Sequence, residues 1–213
     1  MISNYKHIIW DWNGTLFNDV EICVSIVNNL LSKRNLPLLS REKYKEIFTF
    51  PVKDYYVTAG FNFEKESFEV IGKEWMDEYE QRKHECDLSD SALQLLEKIS
   101  SMKIDQSILS AYSQHTLVEV VEHFGLTKYF SHLVGLDNIY ASSKVMLGKE
   151  LMKKLELKNG EALLIGDTIH DFDVATEIGA DCILLASGHQ NHNNLMQCGV
   201  PVFDSIKEIL EKW

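Results

Sequence analysis

The sequence predicts an α/β fold: a mostly parallel sheet with helices over its strands, interrupted near its start by an all-helical insert. Three observations carry this expectation. Short β-rich runs alternate with helical patterns, the texture of βαβ units. Those runs are continuously apolar rather than alternating, as suits strands covered on both faces. One stretch, 18–88, shows helical spacing and no evident strand.

The β-rich runs are "HIIW" (7–10), "QSILS" (106–110), "HLVGL" (132–136), "ALLIG" (162–166), "CILLA" (182–186) and "PVF" (201–203). In the insert, Val20, Val24, Val27, Leu30 and Leu31 recur at helical spacing, with Pro37 beyond the helix end. Two shorter helices follow, one N-capped by Ser40 and one terminated by Gly60. A longer one carries Phe68, Ile71, Trp75 and Tyr79 along one side. The expected division is a core of residues 1–17 and 89–213 and a helical cap of residues 18–88.

Bulk properties exclude several function classes. The 213 residues are 45% hydrophobic and 25% charged, ordinary for a globular chain with a real core. A net charge of −11 argues against nucleic acid or an anionic membrane as partner. Cys23, Cys86, Cys182 and Cys198 lie far apart with no C-x-x-C pair, so neither a zinc site nor a disulfide framework is indicated. Free thiols, no signal-like h-region and no membrane-length apolar run give the expectation of a cytoplasmic protein.

In an open parallel sheet, ligands bind beyond the carboxyl ends of the strands. That rule selects Asp11, Asn13, Gly14 and Thr15 after the first run, and Ser110, Tyr112 and Ser113 at the second. It also selects Gly166, Asp167, Thr168 and Asp171 after the fourth. A loop-to-helix junction, "ASSKVMLGKELMKKL", offers Lys144 and Lys149. Carboxylates converging on one rim repel each other and lose hydration, and a hard divalent cation such as Mg²⁺ relieves both costs. A hydroxyl, backbone N–H groups near Gly14 and a lysine then suit a phosphate beside that metal. Asp11 is placed to attack phosphorus.

Asp-x-x-Gly-Thr after a strand, a Ser after a second strand, a Lys at a helix start and Gly-Asp-x-x-x-Asp after a fourth strand occur in that order. Together they resemble the haloacid dehalogenase superfamily, in its helical-cap, phosphoglycolate-phosphatase-like branch, and the likeness covers nearly the whole chain. The resemblance implies a Rossmann-like core with a mobile helical cap, and Mg²⁺-dependent hydrolysis of a small phosphorylated metabolite. It makes Asp11 the aspartyl nucleophile and a metal ligand, and Ser110 the phosphate-contacting hydroxyl. Lys144 becomes the lysine that holds nucleophile and phosphate, with Lys149 as the alternative. Asp167 and Asp171 become the acidic metal pair, and the main-chain carbonyl of Asn13 a further ligand. Substrate identity is expected to reside in cap residues around 48–63.

Asn13 departs from the pattern. Phosphatase members carry an acid there that protonates the leaving alcohol, and an amide cannot shuttle a proton at neutral pH. That loss costs typically about 10²–10⁴-fold. Four readings stay open: a phosphatase that is slow or needs little leaving-group protonation, a substitute acid such as His170, other chemistry, or a metal- and phosphate-binding regulatory protein with little turnover. Carbon–phosphorus cleavage is the leading other chemistry and needs a cap lysine, for which Lys53 is the candidate.

Bland roles compete at several positions. Asp173 suits a helix N-terminus. His189 and His192, in the Asn-rich "SGHQNHNNL", read as a polar loop and helix cap. Trp10 reads as core, Trp12 as a residue of the site entrance, and Tyr55–Tyr56 as cap packing.

Overall fold

The computed structural model describes residues 2–136 and 144–212. Six parallel strands form one sheet: β1 His7–Trp10, β4 Asp105–Ser113, β5 His132–Leu136, β6 Ala162–Gly166, β7 Asp181–Leu185 and β8 Val202–Phe203. Their order is β5-β4-β1-β6-β7-β8. The chain leaves β1 toward both sides of the sheet, so the carboxyl end of β1 is the topological switch point where a ligand crevice opens.

β1 is buried along its whole length because helices cover both faces. Alternate side chains divide between two apolar layers. Ile8 and Trp10 enter the larger core, with α5 (Ala92–Ser101), α6 (Gln114–His123) and α10 (Ile206–Lys212). Ile9 joins Leu109 and Leu164 on the other face, under α7 (Lys144–Lys154) and α8 (Ile169–Ile178). His7, buried among these strands, finds its partner in the Ser107 hydroxyl at 2.8 Å.

Between β1 and β4 lie four helices: α1 Val20–Lys33, α2 Arg41–Ile47, α3 Val52–Ala59 and α4 Phe68–Arg82. Val20, Val24, Val27, Leu30 and Leu31 of α1 are all buried, the stripe that the spacing predicts. Ser40 caps α2 by accepting from the Lys43 N–H, and Gly60 ends α3 at a left-handed φ of 107°. Arg34 ties α1 to the chain entering α4 and to α4 itself, through Glu66 at 2.6 Å and Glu74 at 3.1 Å.

The insert is not wholly strand-free. β2 (Phe17–Asn18) pairs antiparallel with β3 (Asp87–Leu88), where the chain leaves for the helical layer and returns. A two-residue pairing has no periodicity to read, so the sequence pattern could not reveal it. β4 also runs past Ser110 to Ser113, through a register shift after Leu109. A short α9 (His192–Leu195) completes the element order. Among the described residues, no helix is long and apolar enough to cross a membrane.

Candidate active site

Register places the chemistry. Trp10 of β1 is aligned with Ile165 of β6, so Asp11 and the Gly166–Asp167 pair emerge side by side at the same sheet edge. The Asp11 N–H is still held by the Ile165 carbonyl at 2.9 Å. Asp167 is followed by the Thr168 N-cap of α8, which forms a reciprocal capping box with Asp171. Ligand oxygens of Asp11, Asp167 and Asp171 thereby come within 4.8 Å of one another, all three side chains buried.

Lys144 joins them at the first residue of α7. Its ammonium donates to Asp11 Oδ1 and to Asp171 Oδ1, each at 2.5 Å. The loop side of the junction before it lies outside the described residues. Lys149, the alternative, points elsewhere and pairs with Glu177 on the exposed surface. Ser110 is buried beside the site and its hydroxyl accepts from the Tyr112 N–H at 3.0 Å. Thr15 Oγ1 donates to Asp167 Oδ1 at 3.2 Å and lies 3.5 Å from Asp11 Oδ2.

Gly14 must be glycine. Its φ is +71°, and a Cβ there would sit 2.4 Å from Asp167 Oδ2. Backbone and carboxylate can approach this closely only without a side chain.

Electrostatics leave the cluster incomplete. Burial holds Asp11 well above the usual carboxylate range, the Asp171 and Asp167 charges push the same way, and only Lys144 opposes them. Burial also raises Asp167, to about 6. Burial would raise Asp171 too, but the Lys144 ammonium and the Thr168 hydroxyl outweigh it and hold that carboxyl low. Three buried carboxylates facing one ammonium carry an excess of negative charge. An oxygen-ligating divalent cation fits this donor set.

Asp171 accepts the most hydrogen bonds of the three acids. Its Oδ2 accepts from Asp167 N, Thr168 N and Thr168 Oγ1, and its Oδ1 accepts from Lys144. It anchors the lysine and the turn while one of its oxygens stays within reach of the Asp11 and Asp167 oxygens.

A second buried cluster stands beside the first; the sequence reading missed Asp19 and Tyr44 and gave His189 only a loop role. Asp19, just before α1, receives the Asn13 amide at 2.8 Å, the Tyr79 hydroxyl at 2.6 Å and the Gly14 N–H at 2.9 Å. His189 Nε2 meets Asp19 Oδ1 at 3.2 Å, its Nδ1 meets the Tyr44 hydroxyl at 2.9 Å, and its N–H donates to Asp167 Oδ2 at 2.6 Å. Burial alone would lower the His189 pKa, but the Asp19 charge and hydrogen bond outweigh it and lift it to about 9. Burial likewise works against Asp19, and His189 more than offsets it, so that carboxyl is held low. His189 is therefore a buried ion-pair partner rather than a residue of a polar loop. His192 does start a helix, α9, at the surface.

Two further expectations change, at Lys53 and Trp12, while Trp10, Tyr55 and Tyr56 keep their packing roles. Lys53 is not brought to the site: its exposed ammonium lies 5.6 Å from the centre of the Phe63 ring. Trp12 does not line the entrance; it is fully buried and stacks on Phe17 at 5.4 Å, because the turn after Asp11 folds it inward. Trp10 is core, its indole N–H donating to Gln106 at 3.0 Å. Tyr55 and Tyr56 pack in the helical layer and also border the pocket over Asp11.

The profile of the haloacid dehalogenase-like hydrolases matches residues 8–185. The chain belongs to that family. Among its relatives is the phosphoglycolate phosphatase of Vibrio parahaemolyticus, 23% identical over 98% of this chain and 96% of that protein. The phosphoglycolate phosphatase of Rhodobacter capsulatus is 22% identical over 86% and 85%. Among solved structures, a haloacid dehalogenase-like hydrolase from Streptococcus pneumoniae superposes with a TM-score of 0.83, at 19% identity over 100% of this chain and 99% of that one. A predicted phosphoglycolate phosphatase from Haemophilus somnus gives 0.78, at 19% identity over 98% of both chains. These structural likenesses establish the shared fold. Family membership makes the chain a hydrolase, and its curated relatives are phosphatases.

Proposed function

We propose that this hydrolase is a Mg²⁺-dependent phosphatase of a small phosphorylated metabolite, working through an aspartyl-phosphate on Asp11. The observation that carries the reading is the Lys144 ammonium bridging Asp11 and Asp171, with Asp167 converging on them in the lining of the same pocket. Asp11, Asp167, Asp171 and the Asn13 main-chain carbonyl would hold the metal. The ion would neutralise the carboxylates and the phosphoryl oxygens.

Lys144 orients the Asp11 carboxylate toward the pocket and adds positive charge where phosphoryl oxygens gather. The Ser110 hydroxyl and the backbone N–H groups after Asp11 supply further donors. An Asp11 oxygen forms the new bond to phosphorus while the bond to the leaving oxygen breaks. That oxygen departs with its electron pair and takes its proton from solvent, because the Asn13 amide has none to give. Water then attacks the phosphorus, the Asp11–phosphorus bond breaks, and inorganic phosphate leaves with the carboxylate restored. The helical layer, residues 18–88, acts in this reading as the cap that excludes water. A cytoplasmic setting belongs to the same proposal, supported by four free cysteines.

The test is phosphate release from acetyl phosphate, which needs little leaving-group protonation, with Mg²⁺ and with EDTA. Turnover that requires Mg²⁺ and vanishes in Asp11→Asn supports the proposal, and turnover surviving that substitution ends it. The tethered Asn13 amide favours one competitor, a metal- and phosphate-binding protein without turnover. Phosphate binding with no release from any substrate would establish that reading instead.

A further inference from the structure

We infer that the substrate is an aryl phosphate: the pocket over Asp11 is built for an aromatic leaving group rather than a small carboxylate-bearing one. The inference rests on the phosphatase reading above and names its substrate class.

The cavity that includes the acidic cluster and the aromatic wall above it holds about 440 Å³, more than a phosphate and a two-carbon acid fill. Away from the acidic cluster its walls include Phe48, Phe50, Tyr55, Trp75, Met76 and Tyr112. Phe48 and Phe50 meet edge to face at 5.5 Å, and Phe50 lies 4.8 Å from the His170 ring, so flat surfaces already line the approach. Edge-to-face and offset-stacked contacts with a further ring are favourable in such a setting.

Cations are scarce there. Among the described residues lining the cavity, only Lys144, His170 and His189 can carry positive charge. Lys144 is engaged by Asp11 and Asp171, and His189 by Asp19. The His170 ring packs against Phe50. Residues 137–143 contain no lysine or arginine. Among the described residues of the wall, a substrate carboxylate would lose its hydration with no lysine or arginine beyond the engaged Lys144 to oppose its charge.

Gly72 adds an independent observation. It sits within α4 on the cavity wall, and a Cβ built there meets no atom within 4 Å. Glycine inside a helix costs roughly 0.5–1 kcal/mol relative to alanine, so the helix gives up stability where the pocket stays open.

The leaving-group chemistry agrees with the shape. A phenol has a pKa near 10, whereas the alkoxide of an ordinary alcohol is as basic as hydroxide, whose parent water has a pKa of about 15.7. Phenoxide therefore departs without the proton that Asn13 cannot supply.

The experiment compares kcat/KM for phosphate release from phenyl phosphate, 1-naphthyl phosphate and 2-phosphoglycolate, with acetyl phosphate as the shape-neutral reference. The aryl esters are expected to exceed phosphoglycolate by at least about 100-fold. Gly72→Phe is expected to lower kcat/KM for naphthyl phosphate by about tenfold or more without lowering the melting temperature. Asp11-dependent release from acetyl phosphate, combined with phosphoglycolate equal to or better than the aryl esters, overturns the substrate class and leaves the phosphatase reading standing. If no substrate releases phosphate, calorimetric binding decides the pocket on its own. Phenylphosphonate binding at least about tenfold tighter than phosphonoacetate supports an aromatic site, and the reverse order overturns it.

Discussion

The Asn13 amide donates to the Asp19 carboxylate at 2.8 Å and to the Tyr79 hydroxyl at 2.7 Å, so the residue at the acid/base position is tied to the helical layer. An aspartate there would lack those two donations and face Asp19 as a like charge. Two carboxylates that close cannot both ionise easily, and one keeps its proton. Asn13→Asp is therefore expected to gain a general acid. It should raise kcat for alkyl phosphates by about 10²-fold, raise it much less for aryl phosphates, and lower the melting temperature. Steady-state rates on a matched alkyl and aryl pair, with a thermal melt, check all three.

Among the described residues, Lys144 is the ammonium that bridges Asp11 and Asp171 in the cluster of three buried carboxylates. Removing one partner of a buried ion pair costs about 3–5 kcal/mol. Lys144→Ala is expected to lose stability on that scale in EDTA and to recover part of it in millimolar Mg²⁺. Urea unfolding under the two conditions measures the difference.

His189 and Asp19 set a pH signature for the metal-free protein. His189 rises from an ordinary 6.5 to about 9 on folding, so its contribution is complete below 6.5 and disappears as pH climbs through 9. Asp19 is held below its ordinary 3.8, so its contribution is complete above that value and fades at more acidic pH. At about 1.4 kcal/mol per pK unit, the histidine contribution is on the order of 3 kcal/mol. The stability gap between the wild type and His189→Gln should narrow steadily between pH 6.5 and 9, read by urea unfolding in EDTA. A gap constant across that range would refute the ion pair.

Two buried tyrosines of the helical layer should respond in opposite directions. The Tyr55 hydroxyl is buried with no partner among the described residues, whereas the Tyr79 hydroxyl accepts from Asn13 and donates to Asp19. An unsatisfied buried group costs about 1–3 kcal/mol. Tyr55→Phe is expected to stabilise by about 1 kcal/mol, and Tyr79→Phe to destabilise by about 1–3 kcal/mol because it strips a donor from Asp19. Paired thermal melts decide both signs.

The sequence by itself determined the parallel sheet, the helical insert and the acidic centre. Continuous apolar runs mark buried strands, and in a parallel sheet polar residues just past those runs must share one edge. Asp11, Ser110 and Asp167 were legible for that reason, and Lys144 and Asp171 through the order of motifs. The second cluster was decided by tertiary structure alone. Asp19 and His189 lie 170 positions apart, and neither stands in a periodic pattern that foretells the other. Their pairing depends on how the helical layer seats on the loop after β7, and the same layer gathers rings from α2 to α4 over Asp11. Local periodicity reports which face of an element is buried, whereas the group a buried side chain meets depends on the packing of elements distant in the chain.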